Sequence, residues 1–213
     1  YSDMISVLNT THNTLADALT KADNVLGIDN TLANDDFESE LKALDTGKIN
    51  IAKNKYHAAK AVKSDADIAI NPLSSASDHL TIDWVADTAE EALVTMKELL
   101  FAVAAVLDQT VPIGYLSQSE LDTLKTNIQT ARESVATQYT SLINQKQSVK
   151  DALNSYDTYL IAYAEANKHI IFSREGYRKK PEDLHKIPDV CTALKIKFMR
   201  RPKEFFEMLE YKN

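Results

Sequence analysis

The sequence predicts an all-α chain: an elongated antiparallel helical bundle built on a hairpin with one long helix, followed by a short, mainly helical tail. Three observations predict it. Between Gly114 and Gly176 there is no Gly and no Pro, so nothing in that run breaks a helix. A heptad walk along it meets Leu121, Ile128, Val135, Leu142, Val149, Tyr156, Tyr163 and Ile170, apolar or aromatic at every step. The 213 residues hold only four Gly and five Pro, too few for the turns of a β protein.

Residues 1–26 carry two heptad rows, Tyr1, Leu8, Leu15, Ala22 and Met4, Thr11, Ala18, Val25. Gly27 stands where a helix C-cap glycine belongs. Asn34 or Asp35 is expected to cap a short helix through Leu44, which Gly47 ends. From Ile49 to Val62, one face carries Ile49, Ala52, Tyr56, Ala59 and Val62, and the other carries Lys48, Lys53, Lys55, Lys60 and Lys63. Residues 71–77 read as a loop. Thr81 or Asp83 is expected to begin a helix through about Leu107. Its first turns are acidic (Asp83, Asp87, Glu90, Glu91), which complements the helix dipole. Leu99 to Leu107 is apolar nearly all round, so it should lie deepest in a bundle of at least three helices.

Asp108 to Leu116 is the expected bend of a hairpin spanning 83–166. Ser117 and Glu120 fit a capping box, and Leu116 and Leu121 fit its hydrophobic staple. A second row runs through Leu124, Ala131, Gln138, Gln145, Ala152, Tyr159 and Ala166. Two such rows make a coiled-coil-like seam, and about 50 residues at 1.5 Å each make a rod of roughly 75 Å. Leu121, Leu124, Ile128, Val135, Leu142, Val149, Tyr156 and Tyr163 are therefore the residues expected to pack against partner helices. Gln138 and Gln145 interrupt the seam. Either they fix register or they form a polar layer in a solute channel; the sequence leaves both open.

Composition changes near residue 170. Residues 171–213 hold 11 Lys+Arg against seven Asp+Glu, and residues 1–170 hold 13 against 24. Four of five Arg and four of six Phe lie after residue 170. The expected domains are thus a helical bundle over 1–170 and a small basic, aromatic module over 171–213. The latter is a separate module, a fused peptide, or sequence foreign to the first part. Pro181 and Pro188, each followed by acids, suggest helix first turns. Val190, Leu194 and Phe198 lie four apart, Leu194, Ile196 and Phe198 alternate as in a strand, and Phe205, Phe206, Met208 and Leu209 make an apolar end.

A net charge of −7 argues against a general nucleic-acid binder. One cysteine, Cys191, excludes an intramolecular disulfide framework and a Cys-rich zinc site; its apolar neighbours suggest a buried, inert thiol, His185 being the nearest base. The most apolar run is Leu99 to Leu107, far short of the roughly 20 residues of a membrane span, so any membrane association is expected to be indirect. Tyr1 opens in the middle of a helical pattern, as in a piece of a longer protein. No His pair has metal-ligand spacing. His57 reads as solvated and His169 as a helix-flank residue. Asp35, Asp36, Glu38, Glu40, Asp65 and Asp67 read as capping or solvated, since they lack the calcium-loop offsets. Glu90, Glu91 and Glu98 lack the histidines of a di-metal bundle. The basic residues Lys179, Lys180, Lys195, Lys197, Arg200, Arg201 and Lys203 suggest an anionic lipid or nucleic acid, or, as the favoured reading, a counter-surface to the acidic helices. No catalytic residue, metal or cofactor is expected.

The stretch Ala131 to Val149, ARESVATQYTSLINQKQSV, resembles the helical arm of periplasmic adaptor proteins, the membrane-fusion subunits of bacterial efflux and type I secretion systems. Leu116 to Arg132, and Asp17 to Lys53 with its Ala22-Asp-Asn-Val-Leu-Gly27, look similar to the helical insertions of longer variants from uncultured bacterial lineages. The resemblance spans residues 1–166. The lipoyl-like and β-barrel domains of adaptors have no counterpart here, and their tip motif is not visible at Asp108 to Leu116. The resemblance implies a non-enzymatic cell-envelope module in a transport or secretion assembly, whose partners are helices of its own kind or of other subunits. The alternative is a ligand-sensing extracytoplasmic bundle with a pocket near Trp84, Tyr139, Tyr156 and Tyr159. An envelope location follows from either, with the cytoplasm left open.

Overall fold

The computed structural model describes residues 1–42, 46–173, 179 and 186–199, and their side chains other than those of 42 and 153–158. The chain is all-α. Its described elements are α1 (Ser2–Leu26), α2 (Glu38–Lys42), α3 (Thr46–Ile70), α4 (His79–Gln109), α5 (Gln118–Asn167), β1 (Ile171–Phe172), α6 (Ile187–Ala193) and β2 (Phe198–Met199). They form two compact units, residues 1–147 and 148–213.

In the first unit, side-chain pairs fix the direction of each helix. His12 meets Asp67, and Asp29 just past α1 meets Tyr56 and Lys60, so α1 and α3 run antiparallel. Lys55 meets Glu98, so α3 and α4 are antiparallel too. Lys125 reaches Asp108 and Lys146 reaches Asp87 and Glu90, which turns the first part of α5 back along α4. Gln138 reaches Val7 and Thr11, which closes the circuit onto α1. The result is an up-down-up-down four-helix bundle. Its interior holds Met4, Leu8 and Leu15 of α1, Ile49 and Tyr56 of α3, and Leu93, Met96, Leu99 and Leu100 of α4. The expectation for Leu99 to Leu107 is met by burial of Leu99, Leu100, Val103, Val106 and Leu107. Phe101 points outward, with the Arg132 guanidinium 4.2 Å above its ring.

Gly27 ends α1 at φ 59° and donates its N–H to the Asp23 carbonyl. The Asp23 carboxylate accepts the N–H groups of Ile28, Asp29 and Asn30 and so organises the following loop. The start of α5 carries the expected capping box. The Ser117 N–H donates to Glu120 Oε2 at 2.8 Å, and the Glu120 N–H donates to Ser117 Oγ at 3.2 Å. Leu116 and Leu121, the staple, are buried.

Four boundaries differ from expectation. Helix α2 begins at Glu38, not directly after Asn34 or Asp35, and the Asn34 amide instead donates to the Val25 carbonyl. Gly47 does not end a helix; it lies in the first turn of α3, where few intrahelical bonds depend on it. Leu44, the expected end of the short helix, lies outside the described residues. Helix α3 continues past Val62 to Ile70, because Ala66, Ala69 and Ile70 extend its buried face. The cap of α4 is Asp78, neither Thr81 nor Asp83. Its carboxylate accepts both the N–H and the Oγ1–H of Thr81, at 2.9 and 2.6 Å, so Thr81 is the donor that a cap three residues earlier satisfies.

The second unit contains the end of α5, and the compositional break near residue 170 falls inside it. Ile161 and Ala164 of α5 share a core with Ile171, Ile187 and Cys191. Strands β1 and β2 pair in parallel, Ile171 with Phe198 and Phe172 with Met199, and α6 lies on the connection between them. Pro188 sits in the first turn of α6, as its sequence suggests. Val190, Leu194 and Phe198 do not share a helix: α6 stops at Ala193 and the chain reverses through Lys195 at φ 57°. Pro181, His185, Lys180, Arg200, Arg201, Lys203, Phe205, Phe206, Met208 and Leu209 lie outside the described residues.

Candidate functional site

The residues expected to meet partner helices divide. Leu121, Ile128, Val135 and Leu142 are buried by the chain's own atoms, and Leu124 is half-buried. Val149, at the start of the second unit, is also buried. Tyr156 lies outside the described side chains. Tyr163 is 53% exposed and Tyr159 74%, so neither is covered within the chain. Buried positions there move to Ile161 and Ala164. A straight helix has 3.6 residues per turn, so a strict seven-residue row drifts about 20° per heptad. The row leaves the apolar contact once a different core sets the buried face.

Gln138 takes one of its two open readings. Its Nε2 donates to Thr11 Oγ1 at 2.8 Å and to the Val7 carbonyl at 3.0 Å, and Thr11 Oγ1 donates to that same carbonyl at 2.9 Å. This is a register lock between α5 and α1. Gln145 is half-buried.

Several acidic residues are engaged as caps and ion pairs. Lys146 bridges Asp87 at 2.6 Å and Glu90 at 2.5 Å. Partial burial alone would pull its ammonium pKa down, but the two carboxylates more than offset this, so it titrates above the usual lysine range. Hydrogen bonds from Lys60 and Tyr56 hold the Asp29 carboxyl below its ordinary value. Among the described residues no cluster of three His, Cys, Asp or Glu side chains is placed to hold a metal ion. Cys191 is buried, and burial pushes its thiol pKa up.

The surface feature that stands out is the outer face of α4. Leu80, Trp84, Asp87, Glu91, Val94, Glu98 and Phe101 are all exposed, and they recur at steps of four and three, so they form one stripe along the helix. Its apolar members concentrate at the start of α4, where Leu80 is 81% and Trp84 60% exposed. Ile68, 71% exposed, lies in the last turn of α3, at the same end of the bundle. That end is held firmly. The Asp78 cap fixes the first turn, and the Tyr1 ring stacks on His79 at 3.8 Å while its hydroxyl donates to Asp83. Burial and the Asp83 carboxylate raise the Tyr1 hydroxyl pKa. Exposed Asp65, Asp78 and Asp87 rim the apolar end.

The ligand-sensing alternative expects a pocket near Trp84, Tyr139, Tyr156 and Tyr159. In the structure Trp84 faces outward and the Tyr139 hydroxyl donates to Glu90 Oε1 at 3.5 Å. The signal was present: Ile82, Val85, Ala86, Ala89 and Leu93 define the buried face. At 100° per residue Leu80 and Trp84 each stand about 200° from Ile82. A cleft of about 420 Å³ lies at the opposite end of the first unit, lined by Asp36, Phe37, Tyr115, Glu120, Thr123 and Leu124.

No helix among the described residues is long and apolar enough to cross a membrane. No curated protein and no solved structure is detectably similar to the chain. The family model of a domain of unknown function, DUF4411, matches residues 114–213. That match, less than half of the chain, starts at the bend before α5 and continues past residue 170.

Proposed function

We propose that the chain is a non-enzymatic adaptor module that works by packing against a helix of a partner protein, in a transport or secretion assembly of the cell envelope. The observation that carries this reading is the α4 stripe. Its anchors Leu80 and Trp84 stand four residues apart, a spacing used in helix-in-groove recognition, and a tryptophan at the firm end suits a binding hot spot. Asp87 and Glu98 are paired with Lys146 and Lys55, and the exposed Glu91 between them favours a basic residue on the partner helix. The seam of α5 is not that surface, since its apolar positions up to Leu142 are already covered within the chain.

The test is photocrosslinking from position 84 in the native host, with position 58 on the outer face of α3 as control. The reading expects one discrete protein partner, crosslinked from 84 and not from 58. Its purified complex should then weaken by about tenfold or more with Trp84→Ala, the size expected of a hot-spot residue. Equal labelling from both positions, or a complex indifferent to Trp84, refutes it. The unit-one cleft favours the ligand-sensing alternative, which a thermal-shift screen with small metabolites separates, since a ligand of the folded form raises Tm.

A further inference from the structure

The second unit contains a cleft of about 330 Å³ lined by Lys168, His169, Lys195 and Lys197 with a single acid, Glu165. It lies where two helices end in the same way. At the end of α5, the His169 N–H donates to the Ala164 carbonyl and the Lys168 N–H to Glu165. At the end of α6, the Ile196 N–H donates to Cys191 and the Lys195 N–H to Thr192. Both are Schellman turns, whose left-handed position is usually Gly. Here both positions are lysine, at φ 56° for Lys168 and 57° for Lys195, a conformation that a side chain disfavours.

Lysine at a helix C-terminus complements the dipole, which accounts for one charge at each turn. It does not account for Lys197, which lies beyond the turn that ends α6, nor for the convergence of all three on one cleft. At each turn the Schellman bonds occupy two of the terminal carbonyls, which lessens their repulsion of an anion. Among the described residues none of the three ammonium groups is paired with a carboxylate. Among the described residues of the lining, three lysines against one glutamate leave a net charge that matches a dianionic phosphate better than a carboxylate. The volume is of small-ligand size.

We propose that this cleft binds a small phosphate-bearing ligand, a phosphate monoester or diphosphate, through Lys168, Lys195 and Lys197. The proposal is independent of the α4 docking surface. The test titrates the full ¹⁵N-labelled chain with inorganic pyrophosphate at constant ionic strength. The amides of Lys168, His169, Lys195, Ile196 and Lys197 should shift together on one saturable curve. Lys168→Gly and Lys195→Gly each remove a charge where Gly suits the backbone. Each should weaken binding by about tenfold with Tm unchanged or raised. Shifts that do not saturate by about 10 mM, where affinity is too weak to be specific, would overturn the proposal. So would glycine variants that bind like the parent. Binding of a short single-stranded oligonucleotide or of anionic vesicles that pyrophosphate does not displace would overturn it in favour of a macromolecular anion.

Discussion

Replacing Thr11 by Val probes a side-chain network buried at the α1–α5 contact. Thr11 is fully buried and Gln138 nearly so. The substitution keeps the shape of the side chain and removes Oγ1. Gln138 then loses its 2.8 Å acceptor and keeps only the Val7 carbonyl at 3.0 Å. One hydrogen bond lost, and one amide hydrogen left facing a methyl group, together cost about 1–2 kcal/mol. The reverse substitution behaves differently. Gln138→Leu removes the amide but orphans nothing, because Thr11 Oγ1 still donates to Val7 at 2.9 Å. It should be neutral to within about 1 kcal/mol, and the double variant should recover most of the Thr11→Val loss. The assay is urea unfolding followed by fluorescence of Trp84, the chain's single tryptophan, which lies in the first unit; a local probe is needed because two units need not unfold together. If Thr11→Val is silent, or if Gln138→Leu costs as much as a core truncation, the network is not what sets this contact.

Gly27→Ala should destabilise by about 1–3 kcal/mol by the same assay, since φ is positive there and the new Cβ would lie 2.0 Å from Asn34 Oδ1. Leu100→Ala should cost about 2–5 kcal/mol as a core truncation; a smaller loss would mean that this part of α4 is loosely packed. The raised Lys146 pKa adds stability that is complete below the unfolded lysine value near ~10.4 and is lost as pH rises through the folded value. Lys146→Met should therefore flatten the decline of stability with pH in that alkaline range, by less than about 1 kcal/mol given its partial exposure, and an unchanged alkaline profile would count against the bridge. Cys191 should react with iodoacetamide at pH 8 at least about tenfold more slowly than a free thiol, because its thiolate is both inaccessible and disfavoured; fast labelling would contradict the core of the second unit.

Much of the first unit was legible because its signals are local. Gly27, the Ser117–Glu120 box, the Leu116–Leu121 staple and the all-round apolar run at Leu99 each act within a turn or two of the chain. The errors arose where a local signal had an equally local competitor. Asp78, Thr81 and Asp83 are all capping residue types, and only the hydrogen bond to Thr81 chooses among them. Gly47 reads as a stop until it falls in a first turn. Heptad counting runs through Tyr163, and only Ile171, Ile187 and Cys191 decide that Ile161 and Ala164 are the α5 residues buried within the chain there. The α4 stripe was missed because Trp84 looks like a pocket residue until the buried face of its helix is known.

The sequence by itself determined that this is a chain of helices, where α1 ends and α5 begins, and which residues are greasy enough to need cover. Capping, periodicity and the scarcity of Gly and Pro act over a few residues and need no partner. Only the tertiary structure decided who covers whom: that α5 up to Leu142 is satisfied within its own bundle, that Leu80, Trp84 and Ile68 are left outside, and that Lys168 and Lys195 meet across one cleft. Those outcomes depend on contacts between residues far apart in the chain, which the order of residues along one helix does not encode.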